Sequence, residues 1–112
     1  MWEVEFFVDY LEEFRLLAPD LQTAILAKVE LLRQQGPTLG RPTVDTVEGS
    51  AFPNMKELRV QYQGQPWRVL FAFDPSRQAV LLVGGNKAGN KRWYKTFIPI
   101  ADDRLRRHLA RE

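Results

Sequence analysis

Alternating apolar and polar residues predict a β-strand at the beginning of the chain. Trp2, Val4 and Phe6 alternate with Glu3 and Glu5. This two-residue period is typical of a strand that buries one face and exposes the other. The chain is therefore predicted to begin with a half-buried strand.

Apolar residues at helical spacing follow this strand and predict two helices. Asp9 is the expected N-cap of the first helix, and Glu12, three residues later, completes a capping box. This helix is predicted to run to about Ala18. Pro19 suits the first turn of a second helix, which is expected to end at Gly36 because a proline follows it. The two helices are predicted to form a hairpin that covers one face of a sheet.

Three further apolar runs predict the strands of that sheet: MKELRVQY, PWRVLFAFDP and AVLLVGG. Turn residues at 63–65 and at Asp74 separate them, so we predict an antiparallel β-meander that the N-terminal strand joins. Strict alternation places Arg59 and Arg68 mid-strand on one open face, away from the helices. Residues 37–54 show no period and are predicted to form a long loop.

The last segment, residues 97–111, is predicted to be a short basic helix. Pro99 fits its first turn, and Asp102 and Asp103 favour its positive N-terminal end. Because its apolar content is small, we expect this helix to pack at the sheet edge and to be movable. The predicted fold is α+β, with an N-terminal strand, a helical hairpin on an antiparallel β-meander and a short C-terminal helix. A length of 112 residues is typical of a single domain, here residues 1–112.

The charge is divided between the two halves of the chain. Residues 1–55 contain 4 Lys/Arg and 9 Asp/Glu, a net charge of −5, whereas residues 56–112 contain 12 and 5, a net charge of +7. Such asymmetry indicates contact with a polyanion on the basic side. The alternative is a solvated acidic helical face beside a basic half without a ligand.

Several classes of chemistry are absent from the sequence. The lack of cysteine excludes a disulfide scaffold and thiolate chemistry, and a single histidine argues against a histidine-built zinc site. No P-loop, dinucleotide fingerprint or nucleophile elbow is present. The basic half also lacks the carboxylate cluster of a Mg²⁺ nuclease. We therefore expect no metal and no cofactor. With no visible signal peptide or membrane-spanning run, a cytoplasmic protein without membrane contact is expected.

Cations and aromatic residues concentrate in and beside the segment 84–94, GGNKAGNKRWY. Six of them lie within nine residues: Lys87, Lys91, Arg92, Trp93, Tyr94 and Lys95. The mixture suits a negatively charged, planar ligand, for which nucleic acid is the obvious candidate. Hydrophobic closure of the sheet edge is the alternative role for the aromatics, and solvated charge for the lysines. The glycines are predicted to provide backbone freedom for a turn at the sheet edge.

These residue types support metal-free chemistry on an RNA phosphodiester. RNA carries its own nucleophile, the 2′-hydroxyl, so an enzyme must orient it, take its proton, stabilise the phosphate charge and protonate the leaving oxygen. A lysine can act as general base, a tyrosine can transfer protons or stack on a base, and an arginine can hold a phosphate bidentately. The available residues are Arg59, Arg68, Lys87, Lys91, Arg92 and Tyr94. Which group is the base and which the acid stays open.

The combination of KELR, WRVLFAFDP and LLVGGNK followed by RWY resembles the RelE/HigB-type toxins, in the phage-derived HigB-like branch of the RelE/ParE superfamily. The upstream elements and LGRPTVDTVEGS fit the same pattern, so the resemblance covers nearly the whole chain. It implies a RelE-like fold, similar to microbial ribonucleases, and a toxin of a type II toxin–antitoxin system. Such toxins cleave mRNA in the ribosomal A site without metal and so inhibit translation. The implied partner is a helix-turn-helix antitoxin that blocks the active face.

The resemblance also implies site residues. Catalytic roles fall on Arg59, Arg68, Lys87 and Tyr94, and RNA-binding roles on Lys56, Lys91, Arg92 and Lys95. Some HigB-type members use an active-site histidine. His108 lies in the predicted terminal helix, where surface exposure is expected, so activity should depend on Lys, Arg and Tyr.

Two other functions stay open. A ParE-like toxin would bind and inhibit DNA gyrase without catalysis of its own, and an inactive relic would survive as an antitoxin-binding module. The concentration of cations and aromatics favours the ribonuclease, because a protein-binding toxin does not require phosphate-directed cations on its sheet face.

Overall fold

The computed structural model describes residues 1–111, which form three α-helices and one five-stranded mixed sheet. In chain order the elements are β1 (Glu3–Phe6), α1 (Val8–Arg15), α2 (Pro19–Gln35), a 3₁₀ turn (Gly36–Thr38), β2 (Val44–Thr46), β3 (Lys56–Tyr62), β4 (Gln65–Phe73), β5 (Gln78–Asn86) and α3 (Trp93–Leu109). The strand order is β1-β5-β4-β3-β2. Strands β3, β4 and β5 form the predicted antiparallel meander, and β1 joins it parallel to β5. The α+β class is therefore confirmed.

Helices α1 and α2 lie on one face of the sheet, as predicted. Because side chains alternate along the strands, one set of strand residues meets the apolar stripes of these helices. The main buried members of this layer are Tyr10, Phe14, Leu21, Ile25, Val29, Leu32, Leu58, Val60, Val69, Phe71 and Leu81. None of the cations predicted for the site is among these buried residues.

Helix α3 covers the second face of the sheet, so the prediction that it packs at the sheet edge is wrong. It begins at Trp93 instead of Phe97, so Pro99 lies inside the helix, on its exposed side. Its apolar residues bury the strand residues that were predicted to lie on the open face of the sheet. The main members of this second core are Phe7, Val47, Met55, Leu70, Ala72, Val80, Leu82, Val83, Trp93, Ile98, Ala101 and Leu105.

The first helix is shorter than predicted, and its predicted capping box is absent. Phe7 occupies the N-cap, and its side chain has no acceptor for a cap hydrogen bond; its N–H is held by the Leu81 carbonyl of the sheet at 2.9 Å. Asp9 therefore lies in the first turn, where its carboxylate accepts a hydrogen bond from Arg107 at 3.2 Å. The helix ends at Arg15 because Pro19 holds the preceding residue in an extended conformation.

The predicted loop at 37–54 contains a short strand. Strand β2 pairs antiparallel with β3, with Val44 opposite Leu58 and Thr46 opposite Lys56. Three residues are too few for a hydrophobic period to be visible in the sequence, and the edge of β3 provides the pairing. The rest of the segment crosses to α3, where it forms part of the second core through Val47.

Gly84 and Gly85 lie inside β5, and the prediction that they form a turn is wrong. A β-bulge between Leu70 and Phe71 of β4 leaves Leu82 as an extra residue in β5. A Cβ on Gly84 would lie 2.8 Å from the Tyr10 hydroxyl oxygen, and one on Gly85 would lie 3.1 Å from the Trp93 and Phe97 rings. Both glycines therefore allow a helix to approach the strand closely.

Buried polar contacts hold α3 in place, which contradicts the expectation of a movable helix. Asp102 accepts hydrogen bonds from the Ser50 hydroxyl at 2.5 Å and from the Ala51 N–H at 2.9 Å. Arg104 donates to both carboxylate oxygens of Glu13 and to the Leu82 carbonyl at 2.8 Å. The bond to Glu13 raises the pKa of Arg104, so this tether stays charged.

The histidine is buried, contrary to prediction. His108 is 8% exposed and lies 2.8 Å from the Asp74 carboxylate, with Glu5 3.5 Å from its other ring nitrogen. Asp74 also accepts the backbone N–H groups of Ser76 and Gln78, so it organises the β4–β5 turn. His108 therefore joins the end of α3 to this turn.

We predict that Gly84→Ala destabilises the protein by about 1–3 kcal/mol, because the added methyl group overlaps the Tyr10 hydroxyl. Chemical denaturation measures the free energy of unfolding. In a Tyr10→Phe background the same substitution should cost less, because the overlapping oxygen is gone. Equal costs in both backgrounds would contradict this account of the close approach.

We predict that Asp102→Ala lowers the free energy of unfolding by about 1–3 kcal/mol, since it removes the buried carboxylate that accepts the Ser50 hydroxyl and the Ala51 N–H. The neighbouring Asp103→Ala is the matched control. Asp103 is exposed and forms an ion pair with Arg107 on its own helix, so its loss should change stability by less than about 0.5 kcal/mol. Equal effects of the two substitutions in denaturant melts would show that Asp102 does not anchor α3.

Candidate functional site

Alternation along β3 and β4 places three charged side chains on the α3 side of the sheet. Arg59 and Arg68 lie directly opposite each other in the β3–β4 ladder, as predicted for the same face. Glu57 lies two residues before Arg59 and therefore on that face as well. Where α3 begins, Tyr94 lies over the same three residues. The sheet and the helix thus bring four functional groups together.

Glu57 is the centre of this cluster. It is 3% exposed, and one carboxylate oxygen accepts the Tyr94 hydroxyl at 2.6 Å. The other oxygen accepts the Nε–H of Arg59 at 3.0 Å. The Nε of Arg68 is 3.8 Å from the carboxylate, an ion pair without a hydrogen bond. A buried carboxylate needs such partners, because an unpaired charge in the interior is very costly.

The Tyr94 hydroxyl holds its proton firmly. Partial burial raises its pKa to about 12, and the hydrogen bond to Glu57 and the charge of Glu57 act in the same direction. Arg68 opposes the shift. At neutral pH Tyr94 is therefore a hydrogen-bond donor and a potential general acid, and Glu57 is the proton acceptor beside it.

Packing at the start of α3 positions Tyr94. Trp93 is fully enclosed and stacks on Phe97, with ring centroids 4.5 Å apart. These rings lie against Gly85, where a side chain would displace them. Trp93 therefore closes the core, the structural role considered for it from the sequence, and this closure directs Tyr94 towards Glu57.

The remaining predicted cations are distributed around the cluster. Lys87 lies with its amine 5.6 Å from the centroid of the Tyr94 ring. Lys91 and Arg92 are exposed in the β5–α3 connection, and Lys95 is exposed on α3. Lys56 points to the opposite face of the sheet, where its amine lies 3.4 Å from the Thr46 hydroxyl oxygen, so it does not reach the cluster.

Two adjoining cavities open at the cluster. One, of about 310 Å³, is lined by Asp45, Thr46, Val47, Glu48, Glu57, Arg59 and Tyr94. The other, of about 360 Å³, lies beside α3 and is lined by Glu48, Gly49, Tyr94, Lys95, Ile98, Pro99, Asp102 and Arg106. Because Tyr94 lines both, it separates two spaces large enough for parts of an extended ligand.

Asp45 supports Arg59 from the rim of the first cavity. Its carboxylate lies 3.3 Å from a terminal nitrogen of Arg59 and 2.8 Å from one of Arg41. The hydrogen bond from Arg41 holds the pKa of Asp45 below its usual value. Arg59 is thus fixed between two carboxylates, with its guanidinium at the cavity surface.

Glu57 is the residue that sequence reasoning did not include in the site. Its signal was present, because strict alternation in KELRVQY places it on the face of Arg59. The few acidic residues of the basic half were considered only as evidence against a metal cluster.

Within residues 1–111, no group of three or more potential ligands converges to hold a metal ion, and no helix could cross a membrane.

Comparison with known proteins gives a matching family and two named relatives, one of which is matched over less than half of its length. The family model described as Phage derived protein Gp49-like matches residues 12–106. The chain is 55% identical over 100 residues to a protein of Mycobacterium tuberculosis named as toxin HigB3, covering 88% of this chain and 86% of that protein. It is 52% identical over 88 residues to another, named as toxin HigB2, covering 77% of this chain but 44% of that longer protein.

Solved structures show the same fold at low sequence identity. The isolated E. coli RelE toxin superimposes with a TM-score of 0.62 at 12% identity, covering 89% of this chain and 99% of that chain. A mutant of the same toxin in the free state gives 0.58 at 10% identity, over 86% and 94%. The predicted RelE-like fold is therefore confirmed. Because the family model and a relative at 55% identity both span most of it, the chain belongs to the phage-derived Gp49-like family, as its sequence resemblance implied.

Proposed function

We propose that the chain is the toxin of a toxin–antitoxin system of the HigB/RelE type and that it cleaves mRNA on the ribosome. The observation that carries the second part is the buried Glu57 carboxylate, hydrogen-bonded to Tyr94 and flanked by Arg59 and Arg68. The names of the M. tuberculosis relatives support the first part. The implied partner is an antitoxin, expected to be of the helix-turn-helix class.

In this mechanism the RNA supplies the nucleophile. Its 2′-hydroxyl attacks the adjacent phosphorus, the bond from phosphorus to the 5′-oxygen breaks, and a 2′,3′-cyclic phosphate forms. Glu57 takes the proton of the 2′-hydroxyl, because it is the proton acceptor at the centre of the cluster. Tyr94 gives its proton to the leaving 5′-oxygen, consistent with a pKa that keeps it protonated.

Arg59 and Arg68 supply the positive charge that the transition state requires. An arginine fork matches the oxygens of a phosphate and stabilises the extra charge that develops on them. In the resting protein both are held by Glu57, which positions them without substrate. Lys87, beside the Tyr94 ring, adds to the positive potential over the same point.

The direct contact between Glu57 and Tyr94 also provides a way to reset the site. After cleavage Glu57 carries a proton and Tyr94 has lost one. Because their oxygens are 2.6 Å apart, the proton can return directly from the Glu57 carboxyl group to the Tyr94 phenolate. Lys91, Arg92 and Lys95 are proposed to bind the RNA strand around this centre, by charge alone.

We predict that Glu57→Gln and Tyr94→Phe each reduce cleavage of mRNA on programmed ribosomes by roughly 10²- to 10⁴-fold, the usual contribution of a general base or acid. Arg68→Ala should reduce it strongly as well. Primer extension on the mRNA maps the cuts, and growth arrest on expression without the antitoxin reports the same activity in cells.

Two matched substitutions serve as controls. Arg15→Ala removes an exposed cation at the end of α1, and Tyr62→Phe removes a phenol outside the cluster. Both should remain as toxic as the wild type. Full cleavage by Glu57→Gln and Tyr94→Phe would remove these residues from the mechanism. Growth arrest with intact mRNA and DNA damage would instead indicate a gyrase inhibitor.

We predict that Glu57→Gln lowers the pKa of Tyr94 from about 12, because it removes the charge and weakens the hydrogen bond that favour the phenol. Absorbance near 295 nm follows phenolate formation, and the step missing in Tyr94→Phe assigns the signal. A pKa of Tyr94 unchanged by Glu57→Gln would contradict the contact.

The same shift predicts how stability depends on alkaline pH. The pKa of Tyr94 is raised in the folded state above the usual value of 10.0 for a tyrosine. The contribution of Tyr94 to stability is therefore fully present below pH 10.0 and is lost as the pH rises towards 12. Thermal melts of the wild type should fall more steeply over this range than those of Tyr94→Phe. Parallel melting curves would show that the phenol is not stabilised by folding.

A further inference from the structure

A third cavity lies at the free edge of β3, on the other side of Arg59 from the Glu57–Tyr94 pair. Its volume is about 310 Å³, and it is lined by Lys28, Pro42, Thr43, Arg59, Gln61 and Arg68. Lys28 comes from α2, on the opposite layer of the protein, and the cavity lies just before β2 begins, where the Arg59 N–H donates to the Thr43 carbonyl at 2.7 Å. The cavity therefore combines residues of both layers.

The lining of this cavity is cationic. It contains three cations, Lys28, Arg59 and Arg68, and no carboxylate. Lys28 is half-buried, and within residues 1–111 it forms no ion pair. Glu57 and Asp45 offset part of the charge of the two arginines. Lys28 adds a third positive charge, and its repulsion by the arginines costs more where water is partly excluded. A bound anion would relieve that cost.

The arginines keep donors available for such an anion. Arg68 directs one terminal nitrogen to the Trp67 carbonyl at 3.1 Å, and its buried Nε faces the Glu57 carboxylate at 3.8 Å. Arg59 uses its Nε and one terminal nitrogen on Glu57 and Asp45. The other donors of each fork, with the Thr43 hydroxyl and the Gln61 amide, match the oxygens of a phosphate.

We propose that this cavity binds a phosphate group of the RNA strand next to the scissile one, with Lys28 as an RNA-binding residue. This inference rests on the proposed function, because Arg59 lines both this cavity and the one that contains Glu57 and Tyr94. A strand that places one phosphate beside the Glu57–Tyr94 pair passes over Arg59 and delivers its neighbour to Lys28. The strand thus crosses the edge of β3 towards α2.

The test measures binding of an RNA that cannot be cleaved. The probe is a fluorescent single-stranded oligonucleotide with 2′-O-methyl groups on every ribose, prepared with and without a 5′-phosphate. Fluorescence anisotropy gives the dissociation constant for the full chain over a range of salt concentrations. Lys28→Met keeps the aliphatic stem and removes the charge, and Lys28→Arg keeps the charge.

We predict that Lys28→Met weakens binding by roughly three- to ten-fold and reduces the slope of log K against log salt by about 0.7, the value for one lost phosphate contact on a single strand. Lys28→Arg should bind as the wild type does. Arg15→Met removes the same net charge from the exposed end of α1, outside the three cavities, and should leave the slope unchanged. Melting temperatures verify that each variant is folded.

The two forms of the probe identify the source of the phosphate. A Lys28 effect with both forms indicates an internal phosphodiester, and an effect only with the 5′-phosphate indicates a terminal phosphate. Binding and slope unchanged in Lys28→Met, or no saturable binding by the wild type, would overturn the inference. Because the probe cannot react, Lys28-dependent binding by a protein that does not cleave mRNA would refute the proposed nuclease and keep the phosphate site.

Discussion

The burial of one carboxylate organises the candidate site. Glu57 is almost completely removed from solvent, and removing one partner of a buried charge typically costs about 3–5 kcal/mol. It must therefore hold Arg59, Arg68 and Tyr94 near it, whatever the protein binds. These are the groups that the proposed phosphodiester cleavage uses, so the contacts that keep the charge in the interior also hold the candidate site in one arrangement.

Helix α3, which forms the second layer of the protein, completes this arrangement. Without α3 the face of β3 and β4 would be open, Glu57 would be hydrated, and Tyr94 would have no fixed position. Asp102 and Arg104 anchor the helix to the rest of the chain, and the absence of a side chain at Gly85 lets its first turn approach β5. The geometry of the site thus depends on packing several residues away from it.

The distribution of charge agrees with a ligand that crosses the molecule. Cations from β3, β4, the β5–α3 connection and α3 surround Tyr94, and Lys28 extends them beyond the sheet edge. The acidic residues of the first half are in large part used as partners: Asp9 and Glu13 hold arginines of α3, and Asp45 holds Arg59. The charge asymmetry of the sequence therefore reflects both ion pairing across the fold and an unneutralised cationic surface.

The sequence by itself determined the strands of the meander, the second helix and the common face of Arg59 and Arg68, because hydrophobic periods, glycine and proline act locally. Only the tertiary structure decided where α3 lies, that His108 is buried on Asp74, and that Glu57 accepts the Tyr94 hydroxyl. Glu57 and Tyr94 are 37 residues apart, and they meet because α3 packs closely on β5 at Gly85. Such contacts depend on packing between layers, which no local period encodes.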